Sequence, residues 1–156
     1  MAPNIDWKRP DRDKRTGEAQ TLDMVLLDVI AAGIADNKAD ALKFVRRKVP
    51  QESYYQKKIM DDLKKRAAKE GLRAVIWKAA QGMFSRGGVS DVNALIGGVQ
   101  FCVEVKRPFF GEASELQKQF VDDINAAGGV AAVCVYPEEL DALWQRAEEI
   151  RKERTR

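Results

Sequence analysis

Two acids and a lysine, Asp91, Glu104 and Lys106, flank a Gly-Gly pair in the stretch SDVNALIGGVQFCVEVKRP, which runs from Ser90 to Pro108. Gly97-Gly98 predicts a two-residue hairpin turn, since both central positions of such a turn favour positive φ. Ile96 then faces Val99, and counting outward sets Asp91 directly opposite Glu104, with Cβ atoms about 4.5–5.5 Å apart. Alternation puts Lys106 on their face. It puts Val92, Ala94, Ile96, Val99, Phe101, Val103 and Val105 on the other, which is wholly apolar. Two carboxylates so placed repel unless something cationic lies between them. A hard divalent ion accepts carboxylate and carbonyl oxygens and keeps waters for the rest. Lys106, one pleat away, would orient or deprotonate an attacking water, or stabilise charge on a phosphate. The plainer arrangement of the same residues is a surface ion pair on a solvated sheet face, which is worth little.

Other chemistry is narrowed by what the chain lacks. It has no histidine, which removes Ser-His and Cys-His nucleophile pairs and His-dependent metal sites. Cys102 and Cys134 sit in strand-like apolar runs and read as reduced, buried small hydrophobes, too few and too far apart for a zinc site. Catalysis, if present, falls to carboxylates, lysine and a hard metal ion.

The elements that must position these residues follow from periodicity and punctuation. Residues 1–17 are polar and charged and read as mobile. The run from Glu18 to Ala35 is apolar nearly all round, interrupted by Asp23 and Asp28. It predicts a helix buried on most sides or paired with another subunit. Lys38–Val49 reads as a second helix with cations at its C-terminal end, and Pro50 marks a boundary. Glu52–Gly71 reads as a third helix, with Tyr55, Ile59, Leu63 and Ala67 along one face. A β-rich run follows at Leu72–Ala79, then a glycine-containing loop and the hairpin. Ser114 with Gln117 opens another helix as a capping box, closed by Gly128-Gly129. Val130–Tyr136 is a continuous apolar strand expected in the interior of a sheet. Pro137 starts a last helix whose stripe is Leu140, Leu143, Trp144, Ala147 and Ile150. The expected class is α/β: a mixed sheet with helices against it. The expected organisation is an N-terminal tail and helical extension over residues 1–50 and a second domain over 51–156.

With 156 residues the chain can bury a core of ordinary size. No apolar run reaches the roughly 18–20 residues that cross a bilayer, and the N-terminus has no secretory h-region. A cytosolic protein without membrane contact is expected. The net charge of +3 is unevenly spread. Residues 1–90 hold 19 Lys and Arg against 12 Asp and Glu, a net of +7, and residues 91–156 hold 8 against 12, a net of −4. A basic first half suits a polyanion such as nucleic acid, or is a solvated lysine-rich surface.

The stretch from Gly87 to Phe120 resembles the PD-(D/E)xK nuclease superfamily, and within it the VRR-NUC branch. The residues that carry the likeness are Gly88 before Asp91, the short hairpin, Glu104-Val105-Lys106, and a helix opening with Ser114 and Gln117. The likeness extends to the element order from about residue 51 to 136 and leaves out residues 1–50. Where that family often has proline before the acid, this chain has Ser90. The resemblance implies a restriction-endonuclease-like αβββαβ core and a Mg²⁺- or Mn²⁺-dependent endodeoxyribonuclease, with no nucleotide cofactor. It implies that Asp91 and Glu104 hold the metal with the backbone carbonyl of Val105, and that Lys106 positions the nucleophilic water. Gln117 would reach the site from its helix, or serve only as the capping-box residue. Glu52 is the candidate for the upstream helix acid that often completes such sites; it is equally a first-turn acid favoured by the helix dipole. Standalone members of the branch are small phage or bacterial proteins that look like homodimers acting on branched DNA, Holliday junctions in particular. The helix at Leu22–Ala35 would be the dimer element. Lys78, Arg86, Arg107 and Lys118 neighbour these positions in sequence and are candidates for phosphate contact, against ordinary solvated charge. Phe109 and Phe110 would stack on nucleic acid or plug a core. A sequence-specific restriction or homing endonuclease, and a binding protein that keeps the fold without catalysis, are the alternatives.

Overall fold

The computed structural model of the chain describes residues 2–80 and 88–156. These fall into two compact units, Met1–Gln51 with Arg107–Gly111, and Glu52–Lys106 with Glu112–Arg156.

In the first unit, helix α1 (Leu22–Ala31) starts where the Thr21 hydroxyl accepts from the Met24 N–H, and Gly33, at φ 73°, follows its C-terminal cap Ala32. The apolar run continues to Ala35 but the helix does not. Nor is it buried on most sides. Val25, Leu26 and Val29 face a core, while Met24 and Leu27 are 50% and 54% exposed. Helix α2 (Lys38–Lys48) is capped by Asn37 and carries Arg46, Arg47 and Lys48 in its last turn, where cations meet the negative end of the dipole. Val25, Val29, Ala41, Val45 and Val49 form the core of this unit, and Trp7, Phe44, Phe109 and Phe110 pack against it. Phe109 and Phe110 are thus packing residues. The polar N-terminal stretch is also tied down: Ile5 is buried, and the buried Gln20 amide donates to the carbonyls of Pro10 (2.8 Å) and Arg12 (3.2 Å). Composition suggests mobility there because it carries few apolar anchors; Ile5, Trp7, the Gln20 amide and the backbone bridge between Arg12 and Ala19 hold it nonetheless.

The second unit holds α3 (Glu52–Lys69), β1 (Ala74–Lys78), β2 (Val92–Ile96), β3 (Val99–Val105), α4 (Glu115–Ala126), β4 (Val130–Cys134), a 3-10 turn at Pro137–Glu139 and α5 (Leu140–Arg154). The sheet order is β1-β2-β3-β4, with the first three strands antiparallel and β4 parallel to β3. The molecule is therefore α/β, with a four-stranded mixed sheet flanked by helices. Strand β4, expected inside the sheet, lies at its edge. Helices α4 and α5 both pack against it, and Val130, Ala131 and Cys134 are buried while Val133 is 39% exposed, so the apolar run reflects partial cover on each face rather than an interior position.

Gly97 and Gly98 lie at φ 55° and 81°, as the favoured two-residue turn requires. The register is the one this turn dictates, with Ile96 opposite Val99 and Val92 opposite Val103. The apolar side of the hairpin, from Val92 to Val105, is fully buried against Tyr55, Ile59 and Leu63 of α3 and Leu140, Trp144 and Ala147 of α5. Each such side chain contributes roughly 1.5–3 kcal/mol on burial, so a slip by one residue, which would turn the charged face inward, is strongly disfavoured. Helix α4 lies on the opposite face, where the Asn125 amide exchanges hydrogen bonds with the Ala131 backbone at 2.9 and 3.0 Å. Among the described residues, no helix is long and apolar enough to cross a membrane.

Candidate metal centre

Four elements of the second unit bring their side chains to one end of the sheet. Glu52 is the first residue of α3. Asp91 immediately precedes β2. Glu104 lies near the end of β3 and Lys106 just beyond it, and Gln117 is in the first turn of α4.

Asp91 is held through its backbone and through its carboxylate. The Ala79 N–H donates to its backbone carbonyl (2.8 Å), continuing the β1–β2 ladder. The Val105 N–H donates to Oδ2 (3.2 Å), so the carboxylate reaches across to the facing strand. One residue earlier, the Ser90 carbonyl accepts from the buried Asn93 amide (3.0 Å) and fixes the entry to β2.

Glu104 is 0% exposed. Its Oε1 accepts from Gln117 Nε2 at 2.6 Å and lies 3.0 Å from Lys106 Nζ. Its Oε2 is buried and has no hydrogen-bond partner among the described residues. Burial pushes its pKa up to about 7; the Lys106 ammonium pulls it down, and the charge of Asp91 pushes it up again. Burial works against the charge of Lys106 too, but the hydrogen bond and charge of Glu104, with the charges of Glu52 and Asp91, outweigh it and raise its pKa.

Glu52, Asp91 and Glu104 each offer a carboxylate oxygen, and the three oxygens lie within 4.8 Å of one another. Two like charges about 5 Å apart repel by roughly 3 kcal/mol at an effective dielectric near 20, so the trio has a strong electrostatic demand for a cation. The donor set fits a hard ion. It is all oxygen, its span matches the roughly 4–5 Å across the coordination shell of Mg²⁺ or Ca²⁺, and the orphaned Glu104 Oε2 gains the partner it lacks. Softer ions have no ligand here. The chain has no histidine, and burial raises the pKa of both cysteines, that of Cys134 to about 12. Beside the carboxylates opens a cavity of about 350 Å³ lined by Glu52, Gln56, Lys78, Ala79 and Asp91.

The other candidates separate. Lys78 lines this cavity. Gln117 splits its amide: Oε1 accepts from the Ser114 N–H (2.9 Å) to complete the capping box, and Nε2 holds Glu104. Capping and site contact are therefore simultaneous. Of Val105, the structure shows the N–H engaged with Asp91. Lys118 is exposed and paired with Glu115 (3.3 Å). Arg107 belongs to the first unit, where its guanidinium donates to the carbonyls of Arg46 (2.7 Å) and Val49 (2.9 Å) at the end of α2 and stacks over Phe110. Its neighbourhood to Lys106 in sequence gave no sign of that use. Arg86 lies outside the described residues. Asn93 and Gln56 were not singled out from the sequence. For Gln56 the signal was available, since it sits one helical turn after Glu52.

Gly88 has a local reason independent of any family pattern. At φ 84° it passes so close to α4 that a Cβ would lie 2.7 Å from the Leu116 carbonyl oxygen. The backbone at Gly88 thus lies directly against the turn that carries Gln117. Comparison with family models, with curated proteins and with solved structures finds no match to this chain.

Proposed function

We propose that the chain is a metal-dependent phosphodiester hydrolase acting on DNA. The observation that carries this reading is the buried Glu104, with one oxygen fixed by Lys106 and Gln117, the other without a partner among the described residues, and the carboxylates of Asp91 and Glu52 beside it. A surface ion pair would not bury its acid completely or surround it with two more. Glu52, Asp91 and Glu104 would hold a Mg²⁺ or Mn²⁺ ion, which when bound supplies Lewis-acid polarisation of a phosphate oxygen and of water. Lys106, kept charged by its three acidic neighbours, donates to water or phosphate; in that state it takes no proton. Lys78, on the wall of the adjoining cavity, offers its ammonium to the phosphate. Gln117 keeps the Glu104 carboxylate in one rotamer, so the ligand geometry is set before the ion arrives.

The finer reading is a restriction-endonuclease-like core acting on branched DNA as a homodimer. It rests on the resemblance of the Gly88–Gln117 stretch, with the half-exposed Met24 and Leu27 of α1 as the apolar surface available to a second copy. Incubation of the protein with linear, nicked, flapped and four-way DNA, with Mg²⁺ and with Mn²⁺, tests the activity. Cleavage that Asp91→Ala and Lys106→Ala abolish is expected. A wild type that binds DNA but cuts none of these would leave the fold as a binding module. Fixed cut positions on long duplex DNA would indicate a sequence-specific enzyme, and a monomer at micromolar concentration in size exclusion would remove the dimer.

A further inference from the structure

Helix α3 buries Tyr55, Gln56, Ile59, Leu63 and Ala67. Four of these five positions carry residues that pack in the core; Gln56 is the exception. It is 9% exposed, follows Glu52 by one turn on the same face, and lines the cavity that Glu52, Asp91 and Lys78 share. Its side chain makes no hydrogen bond to any described residue. Its amide atoms are not among the fully buried, unpartnered side-chain atoms of the described residues; they open onto the cavity, where water meets them. The carboxylates there are acceptors and Lys78 is a donor. Gln56 is the neutral polar side chain of this lining, and its Oε1 would suit the proton of a water polarised by a cation.

We propose that Gln56 is a positioning residue of the metal centre, accepting through Oε1 a hydrogen bond from a water bound to the cation held by Glu52, Asp91 and Glu104. This rests on the metal-centre reading above and extends it to a neutral group outside the acid-and-lysine set. Partners of this kind orient ligands and bound waters, and their loss costs about 10- to 100-fold in metal affinity or activity.

The test uses the full chain and Mn²⁺ alone, without DNA, at pH 8. Affinity is read by titration calorimetry and bound water by proton relaxation enhancement. Gln56→Met keeps the length of the side chain and removes its acceptor. It is expected to bind Mn²⁺ about 10-fold more weakly, with altered relaxation enhancement and an unfolding midpoint no lower than that of the unsubstituted chain. Gln56→Glu keeps an acceptor oxygen and is expected to bind at least as tightly as the unsubstituted chain. Equal affinity in the unsubstituted chain and Gln56→Met overturns the role of Gln56 while leaving the metal centre standing. So does an equal loss in both variants. If the unsubstituted chain binds Mn²⁺ no better than Asp91→Asn does, the metal centre itself is wrong and the proposal falls with it.

Discussion

Burial of Glu104 makes one contribution to stability depend on pH. Its pKa stands at about 7 in the fold against an ordinary 4.5. Below pH 4.5 both folded and unfolded chains hold the proton and burial costs nothing on this account. Between 4.5 and 7 the unfolded chain releases a proton that the folded one keeps, so stability falls as pH rises. Above 7 the cost is constant, on the order of 3 kcal/mol. Metal-free protein should therefore lose several degrees of melting temperature between pH 5 and pH 8 from this group, and Glu104→Gln should flatten that slope. Saturating Mn²⁺ should restore the loss at pH 8, and its affinity should fall roughly tenfold per pH unit below 7, as the proton competes for the carboxylate. Gln117→Glu separates the two uses of that side chain. Glutamate at this position still caps the helix but loses the donor to Glu104 and sets a third acid against it. The pH at which Mn²⁺ binding is half lost should move upward, measured by titration at a series of pH values. An unchanged midpoint would show that the 2.6 Å contact does not govern Glu104. The closeness of the Asp91 and Glu104 carboxylates was legible in the sequence because a Gly-Gly turn fixes register and register fixes faces, although the ladder itself ends one residue earlier, at Val92 opposite Val103. The burial of Glu104 was not, because alternation says which side a residue is on and nothing about what covers that side.

Among the elements, α4 joins the two uses that the sequence offers Gln117 as alternatives. Its Ser114–Gln117 opening reads as an ordinary capping box, yet its placement over β3 turns the capping side chain into a site contact. The element that permits this is the loop at Gly88. Gly88→Ala faces two obstacles, a positive φ costing on the order of 1–3 kcal/mol and a Cβ 2.7 Å from a helix backbone atom that has no rotamer to escape into. Its urea midpoint should drop, and any cleavage activity should drop further than stability accounts for, because the first turn of α4 must shift and take Gln117 with it. Full activity in Gly88→Ala would mean that α4 is free to move without consequence. Strand β4 shows the opposite lesson. Its unbroken apolar run, Val130–Tyr136, predicts a strand in the interior of the sheet, but such a pattern equally fits an edge strand flanked by two helices. Helix α1 shows a third case. Apolar residues all round it leave open which of them face inward, and only packing partners such as Val45 decide.

At the scale of the whole molecule, the chain crosses between its two units three times. Residues 107–111 leave the strand that bears Glu104 and belong to the first unit, where Phe110 packs between the guanidiniums of Arg46 and Arg107, at 4.7 and 5.0 Å from the ring centre. No single cut separates the units. A polypeptide of residues 52–156 would carry Phe109 and Phe110 with their core removed, and it should bind a hydrophobic dye and aggregate; Phe109→Ser with Phe110→Ser should relieve both, as judged by soluble fraction. Equal solubility with and without the serines would show that these rings need no cover. The same crossing imposes an order on synthesis. When Gln51 leaves the peptidyl-transferase centre the first unit has its helices but not its closing segment, which is translated 60 residues later. At about 5–20 residues per second that is about 3 to 12 s during which α1 and α2 wait, unsealed, on the ribosome. The acidic strand is translated before the first unit's closing segment, and α4, β4 and α5 only after it, so the two units are interleaved in synthesis rather than made one after the other.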